Sequence, residues 1–191
     1  MRLFLAVVPP EPVLRELDAV VQPLRRRPEG AGLRWTGLPG WHLTLAFLGQ
    51  VESEDVEKLL PRLERVAHRH AAHSLRIAGG GRFGDRVLWA GVTGDTHALR
   101  RLAESAGAAA RHSGIALDER PFRGHLTLAR SGTARADLKP LAAALADFEG
   151  TEWTADSLRL MRSYLGSGPA RYETVGEWKL RSDTQGGVRE G

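Results

Sequence analysis

The 191-residue chain has no cysteine, only three lysines, two tyrosines and two methionines, and no apolar run of the roughly 18 residues that a membrane span needs. The missing cysteine excludes disulfides, thiolate nucleophiles and cysteine-based zinc sites together. The start, Met1-Arg2 and a short apolar stretch ending in Pro9-Pro10, lacks the longer apolar core and small-residue cleavage site of a signal peptide. A cytoplasmic protein with no membrane partner is therefore expected. With so few lysines, 24 arginines carry the positive charge, and the formal charge is +4 with a pI near 10.1. Such a balance favours an anionic partner. The arginine count alone decides nothing, because phosphate recognition calls for clustering and not for a uniform excess. Hydrophobic content of 42% and 26% charged residues are ordinary globular values, and the length suits one medium domain or two lobes sharing a core.

What the chain does have is a repeat. His42-Leu43-Thr44-Leu45-Ala46 returns as His125-Leu126-Thr127-Leu128-Ala129, and Ser74-Leu75-Arg76-Ile77 returns as Ser157-Leu158-Arg159-Leu160 at the same offset. A looser match links Arg2–Val8 to Arg86–Val92. Two long copies are too few for a solenoid and imply a duplicated lobe. The first copy reads as a strand over 2–8, a helix over 11–27, a strand over 41–48, a helix over 54–71 capped by Ser53, and strands over 74–78 and 86–92. Gly79–Asp85 reads as the glycine-rich connection of a hairpin. The second copy predicts a helix over 96–112, a strand over 124–130, a helix over 137–148 and strands over 155–165 and 170–180. No low-complexity linker divides the halves, so 1–180 is expected to be a single bilobal domain, with 181–191 a frayed tail.

Leucines alternating with polar residues place His42 and Thr44 on one strand face, roughly 7 Å apart, and Leu43 and Leu45 in a core. His125 and Thr127 repeat the arrangement. One such motif is most simply a polar strand face. Two in register are hard to attribute to packing, which would preserve the leucines and leave the other face free to vary. If the strands are neighbours about a pseudo-dyad, one cleft receives two imidazoles and two hydroxyls. Near neutrality one imidazole can serve as base and the other as acid, while the hydroxyls donate to non-bridging phosphate oxygens. That set suits phosphoester chemistry without a metal or other cofactor. Elsewhere, His68 and His70 point to different helix faces, and no carboxylate or cysteine completes a ligand set with His73.

The pattern resembles the two-histidine phosphoesterase superfamily, and specifically the RNA 2′,3′-cyclic phosphodiesterases, also described as 2′-5′ RNA ligases. The resemblance runs from Leu3-Phe4-Leu5-Ala6-Val7 through Trp41–Gly49 and Arg120–Arg130 to Ser163-Tyr164-Leu165 and Tyr172-Glu173. It implies an α+β fold, bilobal and duplicated, with two antiparallel sheets lining a central groove and helices outside. It further implies His42, Thr44, His125 and Thr127 as catalytic residues. Arg130 is a candidate phosphate contact by the same resemblance, although its odd spacing from His125 sends it to the opposite strand face unless a bulge or the strand end turns it inward. Trp35, Phe122 and Tyr172 are candidate base-stacking residues. The expected activity opens 2′,3′-cyclic phosphates of RNA ends or nucleotides to 2′-phosphates in a monomeric enzyme, with weak ATP-independent 2′-5′ joining. Two alternatives stay open: an RNA-end binding module without turnover, and a phosphodiesterase acting on another small cyclic phosphate or a 2′-5′ oligonucleotide.

Overall fold

The computed structural model describes residues 1–118 and 120–182. Nine strands and four helices follow one another as β1 (Arg2–Val7), α1 (Glu11–Arg25), β2 (Arg34–Trp35), β3 (Leu43–Gln50), α2 (Ser53–Arg69), β4 (His73–Phe83), β5 (Val87–Gly94), α3 (Thr96–His112), β6 (His125–Arg130), α4 (Lys139–Leu145), β7 (Trp153–Ala155), β8 (Ser157–Tyr164) and β9 (Arg171–Lys179). The strands form two antiparallel sheets, ordered β3-β1-β8-β9 and β2-β6-β5-β4-β7.

These orders disclose how the repeat folds. In the first copy β1 and β3 pair with each other, but the third strand, β4, crosses to lie beside β5 of the second copy. In return β8 crosses to lie beside β1. Each lobe is therefore a pair of strands from one half completed by the third strand of the other. The back faces of both sheets and the apolar stripes of all four helices bury one continuous cluster, including Leu3, Leu5, Leu17, Leu43, Leu63, Leu75, Leu102, Leu128 and Leu160. The opposite face of the first sheet holds a separate small cluster of Phe4, Ala6 and Met161, flanked by Val8 and Tyr172. Apolar burial of this kind supplies the main driving force for folding. Among the described residues, no helix is long and apolar enough to cross a membrane.

Several local expectations are corrected. The helix α2 begins at Ser53 with Glu52 as its N-cap, and no side-chain cap bond forms there. α3 does carry one, from Ala98 N–H to the Asp95 carboxylate at 3.0 Å. Gly79–Gly81 are not a connection but part of β4, and the turn is the shorter Gly84-Asp85-Arg86. The glycines are there for room. A Cβ at Gly81 would stand 2.4 Å from the Trp89 ring, and one at Gly80 would stand 2.6 Å from Leu145. Two short strands, β2 and β7, extend the second sheet at its edges where no period could announce them. Of the expected tail, 183–191 lie outside the described residues, while the Arg181 N–H donates to the His70 carbonyl at 2.9 Å.

Candidate active site

The strands β3 and β6 carry the duplicated motif, and each pairs with its neighbour through the same irregularity. Along β1, Leu5 faces Ala46 and Ala6 faces Thr44, so Leu45 is an extra residue. Along β5, Leu88 faces Ala129 and Trp89 faces Thr127, so Leu128 is extra. An extra residue on one strand shifts the alternation of everything after it. The bulge keeps Leu45, Leu48, Leu128 and Ala129 in the core and turns two later residues to the other face, Phe47 on β3 and Arg130 on β6. These two occupy equivalent positions in the repeat, with Phe47 opposite Phe4 and Arg130 opposite Val87.

His42 immediately precedes β3. Its ring stacks on Phe4 with centroids 4.6 Å apart at 30°, and meets Tyr172 edge-on at 5.1 Å. Burial among these rings pushes the imidazole down to about 4, the positive charge of His125 adds to the effect, and the facing carbonyl of Gly40 opposes it. The strands that begin beside these two histidines, β3 and β6, belong to different sheets and are in contact with each other.

His125 opens β6. Its Nδ1 lies 2.7 Å from the Arg123 carbonyl, and a carbonyl only accepts, so Nδ1 carries the proton and Nε2 is left as the free acceptor. The ring is flanked by Phe83 at 5.0 Å and Trp89 at 6.3 Å. Burial lowers its pKa, the Arg123 carbonyl opposes that shift, and the Arg130 guanidinium lowers it further. Arg130 also acts on Tyr172, whose hydroxyl burial pushes up while Arg130 and Arg2 pull it down. The charge of Arg130 therefore acts on a second-sheet histidine and a first-sheet tyrosine alike. Thr44 and Thr127, both half-buried, sit opposite Ala6 and Trp89.

His42 and Tyr172 are in ring contact, and the charge of Arg130 acts on both Tyr172 and His125, with Thr44 and Thr127 two residues beyond the histidines. Trp35 and Phe122 make their contacts with the main core. Trp35 packs against the main core, donates its indole N–H to the Gly30 carbonyl at 3.0 Å and lies under the Arg25 guanidinium. Phe122 is packed against the same core beside Gly124. Neither ring is in aromatic contact with a histidine among the described residues. The sequence reading missed Phe4, Phe83 and Trp89, which wall the two imidazoles, and Phe47, which is 64% exposed near Phe4. The signal for Phe47 was present, since it stands at the repeat position of Arg130. Away from the groove, His70 Nε2 is 2.8 Å from the Ser105 hydroxyl, and His73 Nδ1 is 3.0 Å from the Ala71 carbonyl.

The family described as LigT like Phosphoesterase matches twice, over 7–89 and over 90–170, one match for each copy of the repeat. The chain belongs to the LigT-like phosphoesterase family. Among curated LigT-like relatives, an RNA 2′,3′-cyclic phosphodiesterase of Thermus thermophilus is 30% identical over 200 residues, covering 96% of this chain and 92% of that protein. One of Geobacillus stearothermophilus is 32% identical over 161 residues, and there the match takes in 82% of this chain but only 51% of the relative. Among solved LigT-like structures, E. coli LigT complexed with 3′-AMP superposes with a TM-score of 0.77 at 25% identity, covering 94% of this chain and 97% of that one. The crystal structure of a further phosphoesterase gives a TM-score of 0.79 at 26% identity, with the same coverage of each chain.

Proposed function

We propose that this chain hydrolyses the 2′,3′-cyclic phosphate of RNA ends and nucleotides to a 2′-phosphate, without a metal. The observation that carries the reading is the pair of histidines at the start of equivalent strands that contact each other, each with its ring beside the carbonyl two residues upstream. The relatives' shared name, RNA 2′,3′-cyclic phosphodiesterase, supports the substrate class.

In this reading His125 is the base. Its Nε2 is free, and Arg130 disfavours its protonation. It takes a proton from water as the water oxygen attacks phosphorus. The P–O3′ bond breaks, and His42 gives its proton to the departing 3′ oxygen. With its pKa at about 4 His42 is neutral near pH 7, and a bound phosphate anion supplies the charge that lets it hold a proton. Thr44 and Thr127 donate to the non-bridging oxygens as negative charge builds there, Arg130 balances that charge, and the nucleobase stacks on exposed Phe47 beside Tyr172. Joining of a 5′-hydroxyl RNA is the same path with water replaced, and it remains weak because water is far more concentrated. The bilobal domain acts as one unit, since each half completes the other's sheet.

Purified protein incubated with a 2′,3′-cyclic nucleotide in EDTA tests the reading: a 2′-phosphate is expected, whereas a 3′-phosphate would overturn the assigned bond. A substrate with sulfur at the 3′ position tests the roles, because a thiolate leaves without an acid. It should restore turnover to His42→Ala and not to His125→Ala. Tight binding of RNA ends with no product in the unaltered protein would favour the binding-module alternative.

A further inference from the structure

Away from the groove, α2 and α3 pack side by side around a cleft of about 280 Å³ lined by Arg62, Arg65, Arg69, His70, Ser105 and His112. Helical spacing makes it. Arg62, Arg65 and Arg69 recur at i, i+3 and i+7 on α2, and Ser105, Ala108 and His112 recur in the same way on α3, so each set forms one stripe. Small residues on the α3 stripe leave the space between the helices. Arg101, one turn before Ser105, and Arg181, whose backbone N–H donates to the His70 carbonyl, carry further positive charge that acts on the His70 imidazole at the cleft.

Among the described residues, none of Arg62, Arg65, Arg69 and Arg101 lies within ion-pair distance of a carboxylate. The same helix does pair Lys58 with Glu54 and Asp55, so acidic partners are available on α2 and are placed elsewhere. Favourable interaction with the helix dipole accounts for Arg69 and His112, in the last turns, but falls off before Arg62, Arg65 and Arg101. Burial, and then the charges of Arg101, His73, Arg181 and Arg69, hold the His70 imidazole below its ordinary range. Permanent charges of one sign thus converge on a cleft that contains no counter-charge of its own.

Guanidinium groups with unused donors suit bidentate phosphate contacts better than a single carboxylate or a neutral ligand. From Arg62 to Arg69 the stripe runs about 10 Å along the helix, longer than one phosphate, so the fitting ligand carries phosphates in a row. We propose that the α2–α3 cleft is a second, non-catalytic site that holds the phosphodiester backbone of the RNA whose end enters the groove. The proposal rests on the RNA-end reading given above. Contacts of this kind carry no sequence information, so the site adds affinity for RNA over mononucleotides without selecting bases.

The double variant Arg65→Gln with Arg69→Gln tests it, and both side chains are exposed, so the fold is not at stake. Three quantities are measured: KM for a 2′,3′-cyclic mononucleotide, KM for a short single-stranded RNA with the same terminus, and the salt dependence of binding of that RNA with a plain 3′-hydroxyl. The expected result is an unchanged mononucleotide KM, an RNA KM raised about tenfold, and a log–log salt slope shallower by about 1.4, the loss of two single-strand phosphate contacts. Unchanged RNA affinity and slope would overturn the proposal. So would inorganic tripolyphosphate binding that the variant loses and RNA does not displace, which would make the cleft a site for free oligophosphates. Failure of the unaltered protein to open a cyclic mononucleotide, together with weakened RNA binding in the variant, would sink the catalytic reading and leave the cleft standing.

Discussion

The two lobes present the same histidine in two different settings. In the first, His42 is packed between Phe4 and Tyr172 and is pushed down to about 4 mainly by loss of water. In the second, His125 has its Nδ1 at the Arg123 carbonyl, and its pKa is lowered by burial and further by Arg130. The repeat position that carries Arg130 in one lobe carries exposed Phe47 in the other. Duplication supplies two identical groups, and divergence of their neighbours gives them unequal surroundings: burial is the main cause of the lowered pKa in both, and only His125 has the charge of Arg130 added to it.

Removing either histidine is the largest expected break. In folded protein, His42→Ala and His125→Ala should each lower turnover of a cyclic nucleotide by at least about 100-fold, as expected for loss of an acid or base. Near-normal turnover in either variant would end the paired-histidine mechanism.

A second test asks whether desolvation is what sets His42 apart. Its folded pKa is about 4 against 6.5 for an ordinary histidine, so as pH falls below about 6.5 the unfolded chain takes up a proton that the folded chain refuses. Stability is therefore whole above that range and is lost as pH falls toward 4, by up to about 3 kcal/mol for this one group. His125 contributes in the same direction. Urea unfolding at pH 7 and near pH 4.5 should show His42→Gln losing clearly less stability than the unaltered protein between the two. Equal losses would mean that the ring is already well hydrated.

Third comes the exchange of neighbours. Arg130→Ala should lower kcat/KM about tenfold or more for any cyclic nucleotide, because it removes charge from the phosphate. Phe47→Ala should cost about 1 to 3 kcal/mol of base stacking, felt mainly in KM. Arg26→Ala, at the end of α1, is the control for the general positive field. If Arg130→Ala and Arg26→Ala had the same effect, Arg130 would have no special relation to the groove.

Much of the fold was legible because alternation and 3.6-residue periodicity act locally. The strand over β1 and the helices over 11–25 and 96–112 follow directly from Leu3, Leu5 and Val7, or from Leu99, Leu102 and Ala106. The crossing of β4 and β8 between lobes was not legible, since nothing in Ser74–Ile77 states which distant strand will pair with it. The three glycines of β4 misled for a related reason. Glycine marks turns when seen alone, whereas here it makes way for Trp89 and Leu145, which only the folded chain brings near. In the candidate site the motif residues were plain, but Arg130 needed a bulge at Leu128 that exists only in the pairing of β5 with β6. Phe47 was hidden because the repeat reads identically through Ala46 and Ala129 and diverges one residue later. Trp35 and Phe122 were named for their ring chemistry, and their contacts lie with the main core.

The smallest expected effect separates the two ways in which Tyr172 could matter. Its ring meets His42 edge-on, and burial raises its hydroxyl pKa against the opposing charges of Arg130 and Arg2. If the ring acts by keeping water from the imidazole, Tyr172→Phe should leave rate and pH profile within about twofold, because the ring remains. Tyr172→Ala should admit water, raise the His42 pKa from about 4 toward 6.5, and move the pH dependence of kcat/KM upward on the limb that His42 sets. The stability loss between pH 6.5 and 4 should shrink in the same variant, because the folded and unfolded pKa values converge. A large loss in Tyr172→Phe would instead assign the hydroxyl a direct contact with phosphate or ribose. An unchanged pH profile in Tyr172→Ala would leave Phe4 as the group that desolvates His42, and the contrast between the two lobes would then rest on β1 alone.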